Sequence, residues 1–220
     1  MKRILVIAPH PDDEILGCGG TLSRFKKKKL YWMIVTKMTN KIGYTNNQIN
    51  KREKEIIKIS KTLNIKKRIE LGFSASSLNK LNLKELISKM SLEINKIKPD
   101  TIFAPYLHDA HSDHFFTTYA LNHILKAFRY PFLKRCYLYE TLSETNQSFV
   151  KRNNFKPNTY FNISKNFKKK LKMASVYKGE IKKHPFPRSL KSIEALALLR
   201  GSESGFKYAE AFNLILQKND

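Results

Sequence analysis

Three carboxylates and an imidazole fall within five residues at His10-Pro11-Asp12-Asp13-Glu14, and a second cluster, His108-Asp109-Ala110-His111-Ser112-Asp113-His114, follows much later in the chain. Four of the six histidines lie in these two segments. Imidazole and carboxylate donors suit Zn²⁺, and also Fe²⁺ or Co²⁺. A catalytic metal site needs about three protein ligands and an open position for water. His10, Asp13 and His114 supply such a set. Asp12 is then left as a base for a water whose pKa the cation brings to about 7. His111 could donate a hydrogen bond or a proton to a developing oxyanion, and Asp113 could orient one of the imidazoles from behind. The plainer alternative is an acidic helix N-terminus favoured by the helix dipole, together with structural histidines. The coincidence of two such clusters weighs against it.

The elements around the clusters fit this chemistry. Ile4–Ile7, Trp32–Thr36, Arg68–Leu71, Thr101–Ala104 and Cys136–Glu140 read as short buried strands. Between them, Ile56, Ile59 and Leu63 share one face of a helix over Asn50–Leu63, and Leu83, Leu86, Ile87, Met90, Ile94 and Ile97 share another. Alternating strands and helices predict a mainly parallel sheet with helices on both faces. The first cluster directly follows a strand and the second follows Thr101–Ala104 after a short loop, so both fall at strand carboxyl ends, where open α/β sheets form their sites. Further on, Asn158–Asn162 reads as a late strand and Ser164 as the N-cap of a Lys-rich helix reaching about Tyr177. The prolines of His184–Arg188 exclude a helix there. Ser189–Leu199 reads as a helix closed by Gly201.

A chain of 220 residues is long enough for one α/β domain spanning 1–220. Cys18 and Cys136 make no disulfide framework, and a reducing cytoplasmic setting is expected. The apolar run after Met1 ends at Ala8 and is followed at once by acids, unlike a signal peptide. The formal net charge of +24 raises nucleic acid or a membrane as partners. Lys is abundant throughout, however, and Lys26–Lys29 and Lys168–Lys170 read as solvated faces. No Arg-rich, aromatic-interleaved motif points to nucleic acid. A basic binding protein with a structural His/Asp cluster is the non-enzymatic rival. Peripheral contact with an anionic membrane is compatible with the enzymatic reading.

Pro9-His10-Pro11-Asp12-Asp13-Glu14 and His111-Ser112-Asp113-His114 resemble the signature pair of the PIG-L/LmbE-like deacetylase family. Arg52 and Glu55 resemble its R-x-x-E, Leu71-Gly72-Phe73 its L-G-F turn, and Phe161-Asn162-Ile163-Ser164 a late D-I-S segment with Asn162 in place of Asp. Arg200-Gly201 and Tyr208-Ala209-Glu210-Ala211-Phe212 resemble its closing elements. The resemblance implies a Rossmann-like three-layer α/β/α fold, zinc on His10, Asp13 and His114, Asp12 as general base, and His111 stabilising the tetrahedral intermediate. It also implies Arg52 as a substrate-binding residue. The implied substrate is a small N-acetylated amino sugar, free or carried on a lipid or other aglycone, and several relatives form homo-oligomers. An amidase acting on a non-sugar amide is the enzymatic rival. Glu140, ending a predicted strand, is a candidate for substrate contact, with an ordinary surface carboxylate as the plain alternative. His184 and Arg188 lie in a stiff Pro-rich loop that reads first as structural, with lining of the site as the alternative, and Gly17-Cys18-Gly19-Gly20 reads as close helix packing.

Overall fold

The computed structural model describes residues 1–25, 27–149 and 154–219, so Lys26 of the first lysine run lies outside the described residues. The five predicted strands form as β1 (Arg3–Ala8), β2 (Lys29–Lys37), β3 (Ile65–Ser74), β4 (Thr101–Pro105) and β5 (Arg135–Tyr139), followed by β6 (Thr159–Asn162) and β7 (Ala209–Gln217). The helices are α1 (Asp13–Arg24), α2 (Asn46–Leu63), α3 (Leu83–Ile97), α4 (Ser112–Ile124), α5 (Phe167–Ala174) and α6 (Leu190–Ser204). One sheet of seven strands has the order β3-β2-β1-β4-β5-β7-β6. The first five in that order are parallel, and β7 runs antiparallel to both β5 and β6.

Strand side chains alternate between faces. Leu5 and Ile7 of β1 therefore enter one apolar cluster with Met90 and Ile94 of α3 and Leu121 of α4. Ile4, Val6 and Ala8 enter the opposite one with Ile15 of α1, Ile59 of α2, Met173 of α5 and Ile193 of α6. The result is the expected three-layer α/β/α arrangement. After β1 the chain winds outward through β2 to β3, then returns to place β4 on the other side of β1. That reversal opens a crevice at the carboxyl ends of β1 and β4.

The last third corrects several expectations. Helix α5 is capped at Asn166 rather than Ser164, whose hydroxyl accepts from the Tyr208 amide at 3.2 Å. Helix α6 runs past Gly201 to Ser204 and is closed by Gly205 at φ +73°. Gly201 is a packing glycine, since a Cβ there would meet the Phe206 carbonyl oxygen at 2.5 Å. Nor is the Lys168–Lys170 run wholly solvated. Lys170 is 4% exposed, and its ammonium donates to Glu210 Oε1 at 2.6 Å and to the Leu16 carbonyl at 2.8 Å. Glu210 also accepts from the Gly20 and Thr21 amides at 2.9 and 2.7 Å, tying β7 and α5 to α1. Cys18 and Cys136 are buried free thiols.

Candidate metal centre and its cleft

The turn after β1 is held from several sides. The Pro9 carbonyl accepts from the amide and hydroxyl of Thr36, at 3.0 and 2.8 Å, and the Pro11 carbonyl accepts from Arg52 Nη1 at 3.0 Å. Asp12 caps α1 with φ +137°, a conformation L-residues rarely adopt, while its carbonyl accepts the first helical bonds from Ile15 and Leu16. Glu14 is fully buried. It accepts from the Asp12 amide at 3.0 Å and the Tyr177 hydroxyl at 2.6 Å. Gly17 lets α1 approach β5, since a Cβ there would lie 2.1 Å from Tyr139 Cδ2. This is the close packing expected of the Gly17–Gly20 stretch.

The segment after β4 supplies the other half. His111 caps α4, and its Nδ1 accepts from the Asp113 amide at 3.0 Å. An imidazole nitrogen that accepts carries no proton, so the neutral ring bears its hydrogen on Nε2. Asp113 is fixed by the Ser76 and Leu78 amides at 2.6 and 3.1 Å, and lies 3.0 Å from His10 Nε2. Asp109 Oδ2 lies 2.8 Å from His114 Nδ1, and its Oδ1 accepts from the Thr145 hydroxyl at 2.6 Å. Each of these two imidazoles thus has one nitrogen on a carboxylate. The free nitrogens converge on Asp13: His10 Nδ1 and His114 Nε2 lie 3.5 and 3.2 Å from its Oδ2. Ligand atoms of His10, Asp13 and His114 all lie within 4.8 Å of one another. Two imidazoles each oriented by a carboxylate, with a third carboxylate facing them, are a donor set suited to a divalent cation. A second grouping, His10, His111 and Asp113, also meets that spacing. There, however, Asp113 and His111 Nδ1 are already engaged by amides.

The electrostatics show a point that attracts positive charge. Burial opposes protonation of His10, yet Asp113 and Asp13 lift its pKa to about 9, and Asp13 and Asp109 lift His114 well above its ordinary value against the same penalty. Burial also opposes ionisation of Asp13, but His114 and His10 outweigh it and hold the carboxyl well below the usual range. Asp12 goes the other way. Burial, then the charges of Asp13 and Glu180, push it up to about 8 against Arg52 and Arg188. Burial, then the positive charge of His10 and His114, lower His111 to about 4, so its ring is neutral near pH 7.

These groups line a cleft of about 240 Å³. His10, Asp12, Asp13, His111, His114 and Arg52 all face it, while Asp113 stands behind His10. Arg52 is braced by Glu55 at 3.5 Å, by Glu180, and by the Tyr177 ring, whose centroid lies 5.2 Å from its guanidinium carbon. Glu140 is not brought there. Arg200 grips it at 2.8 and 2.7 Å, and the pair lines a separate small cavity between α1 and α6. The end of β5 delivers Glu140 to that side of the sheet. Of the stiff-loop candidates, Arg188 lines the cleft, paired with Glu180 at 3.1 Å, and His184 lines a different cavity. Sequence reasoning missed Asp109, Lys37, Tyr44, Glu144 and Glu180. Only Asp109 carried a local signal, five residues before His114 in the same motif.

The family described as GlcNAc-PI de-N-acetylase (PIG-L) matches residues 5–125, more than half of the chain. An uncharacterized deacetylase of Escherichia coli, YaiS, is 37% identical over 118 residues, which span 51% of this chain and 62% of that protein. The diacetylchitobiose deacetylase of Thermococcus kodakarensis is 22% identical over 225 residues, covering 98% of this chain and 84% of the relative. The crystal structure of the conserved protein TT1542 from Thermus thermophilus superposes with a TM-score of 0.80 at 26% identity, covering 100% of this chain and 97% of that one. No helix among the described residues is long and apolar enough to cross a membrane.

Proposed function

Because the chain belongs to the PIG-L family, we propose that it is a metal-dependent hydrolase removing the N-acetyl group from an amino-sugar conjugate, with acetate as one product. The observation that carries this reading is the convergence of His10 Nδ1, His114 Nε2 and Asp13 on one point beside a buried, unusually basic Asp12. Residues His10, Asp13 and His114 would hold the cation, and zinc suits them best, with Fe²⁺ and Co²⁺ also matching the donor types. When bound, such an ion polarises the amide carbonyl, acidifies a water and, as the largest local charge, favours the ionised form of Asp12.

The chain's own groups then have distinct tasks. Asp12 takes a proton as the water oxygen bonds to the acyl carbon, and returns it to the nitrogen as the C–N bond breaks. His111, neutral and bearing its hydrogen on Nε2, donates to the oxygen on which negative charge develops. Asp113 and Asp109 fix the ring orientations of His10 and His114. Arg52, held rigid by Glu55, Glu180 and the Pro11 carbonyl, offers its guanidinium edge to sugar hydroxyls. In this reading residues 1–220 act as one unit, since Glu180 and Arg188, beyond the family-matched half, line the same cleft.

Acetate release from a panel of N-acetylated amino sugars, with and without chelator, tests the proposal. Chelator is expected to abolish release, and re-addition of zinc to restore it. Asp12→Asn is expected to lower turnover by about 10²–10⁴-fold with bound metal unchanged. Chelator-insensitive release, or full activity of the variant, would refute it.

A further inference from the structure

The segment that closes the catalytic cleft also walls a second cavity. Glu180 and Arg188 face the cleft, whereas Lys178, Lys182, Lys183 and His184 line a separate space of about 600 Å³, together with Ser189 and Lys191 at the start of α6. No carboxylate lines that space. The contrast with the cleft is sharp, because Arg52 and Arg188 there are both answered by Glu180. Among the described residues none of the four lysines has an acidic partner. The Lys182 ammonium lies 5.0 Å from the Phe186 ring centroid. The segment is anchored from within: the Lys178 amide donates to Glu55 at 3.2 Å, the Tyr177 hydroxyl to Glu14, and Glu180 pairs with Arg52. Its lysines are therefore carried on a fixed support.

Four exposed lysines carried around one concavity gather positive charge at its rim, and a concave surface concentrates such a field. Lysines scattered over a surface would be interspersed with acids and apolar residues, whereas these four share one concavity. Ammonium groups act as compact point charges with several donors each, which suits an anion of high charge density. We propose that this cavity binds a phosphoryl group, carried either on a soluble phosphate ester or on an anionic lipid headgroup. The amide groups opening α6 add to the same field, but the lysine-lined cavity carries the assignment. It stands independently of the deacetylation reading, and its readout is binding.

The test uses the full chain and inorganic pyrophosphate in calorimetric titrations at matched ionic strength. Lys182→Gln/Lys183→Gln/Lys191→Gln is compared with Lys58→Gln/Lys61→Gln/Lys84→Gln, which removes the same charge from exposed helical positions. Saturable binding that weakens at least tenfold in the first variant and less than threefold in the second is expected. No saturable binding, or equal weakening by both variants, would overturn the proposal. Circular dichroism melting of both variants checks that each remains folded. Co-sedimentation with phosphatidylglycerol vesicles identifies the source of the phosphoryl group. Capture that pyrophosphate reverses assigns a headgroup, and binding of pyrophosphate without vesicle capture assigns a soluble ester.

Discussion

Asp109→Asn keeps the heavy-atom count at the candidate metal centre, yet it is expected to loosen the centre selectively. In the native chain one Asp109 oxygen takes the hydrogen on His114 Nδ1 at 2.8 Å and the other takes the Thr145 hydroxyl at 2.6 Å. Asparagine has one acceptor oxygen. If Thr145 keeps it, the amide NH₂ opposes the imidazole N–H, and His114 must move its hydrogen to Nε2. That atom faces Asp13 and would no longer have a lone pair for a cation. If the amide flips instead, His114 keeps its tautomer but loses a charged acceptor. Either way, removing such an outer partner typically weakens metal binding about 10–100-fold, equivalent to about 1.4–2.8 kcal/mol. The fold should not suffer, because burial already raises the Asp109 pKa against its bonds from His114 and Thr145, and the replacement is isosteric. Zinc affinity by competition with a chromophoric chelator measures the effect, with acetate release at saturating zinc showing substantial recovery. Affinity within threefold of the native protein would refute the assigned role of Asp109. So would a collapse of the metal-free melting temperature.

Three further perturbations separate support from chemistry. Gly17→Ala should destabilise by about 1–3 kcal/mol, because its Cβ would lie 2.1 Å from the Tyr139 ring; an unchanged thermal midpoint would contradict the packing. Lys170→Met leaves Glu210 buried with its charge uncompensated and should lose about 3–5 kcal/mol, while adding Glu210→Gln should recover part of the loss in urea melts. Burial opposes ionisation of Asp100, but bonds from the Arg3 amide, the Thr101 hydroxyl and the Lys2 amide outweigh it and hold its pKa below the ordinary value. Its contribution is therefore complete above the unfolded carboxyl pKa of about 3.9 and is lost as pH falls through the lower folded value. Asp100→Asn should be less stable by about 1 kcal/mol near neutrality, with the difference vanishing under strong acid in pH-dependent urea melts.

The legible features were those set by nearby residues. Two motifs, each following an apolar run, located the candidate site, because strand ends and ligand spacing are local properties. The buried run of β1 and the helical spacing of α2 and α3 were likewise visible in the order of residues. What was not legible depends on partners far away in the chain. Glu140 and Asp109 are similar carboxylates near strand ends, and only packing against α6 sends one to Arg200 while His114 claims the other. Strand β7 was hidden because Glu210 interrupts its apolar start, and the distant Lys170 is what permits that burial. The second lysine run misled for the same reason, since a buried lysine looks like a solvated one until its acid is known.

The division of labour between Asp12 and Asp13 follows from one backbone angle. Were both residues helical, their side chains would leave one continuous turn about 100° apart and share much of one environment. At φ +137° Asp12 instead sits outside the helix that Asp13 begins. Asp13 then points between two imidazoles that hold it ionised, while Asp12 faces Arg52, Arg188 and Glu180 and is driven toward its neutral form. Neighbouring carboxyls with pKa values pushed in opposite directions would suit the proposed ligand and proton carrier. Such a backbone conformation costs on the order of 1–3 kcal/mol, and bonds from elsewhere oppose its relaxation: Glu14 on the Asp12 amide, Thr36 on Pro9 and Arg52 on Pro11. The third acid of the motif thus keeps the first two apart, which gives each of three neighbouring carboxylates a separate place.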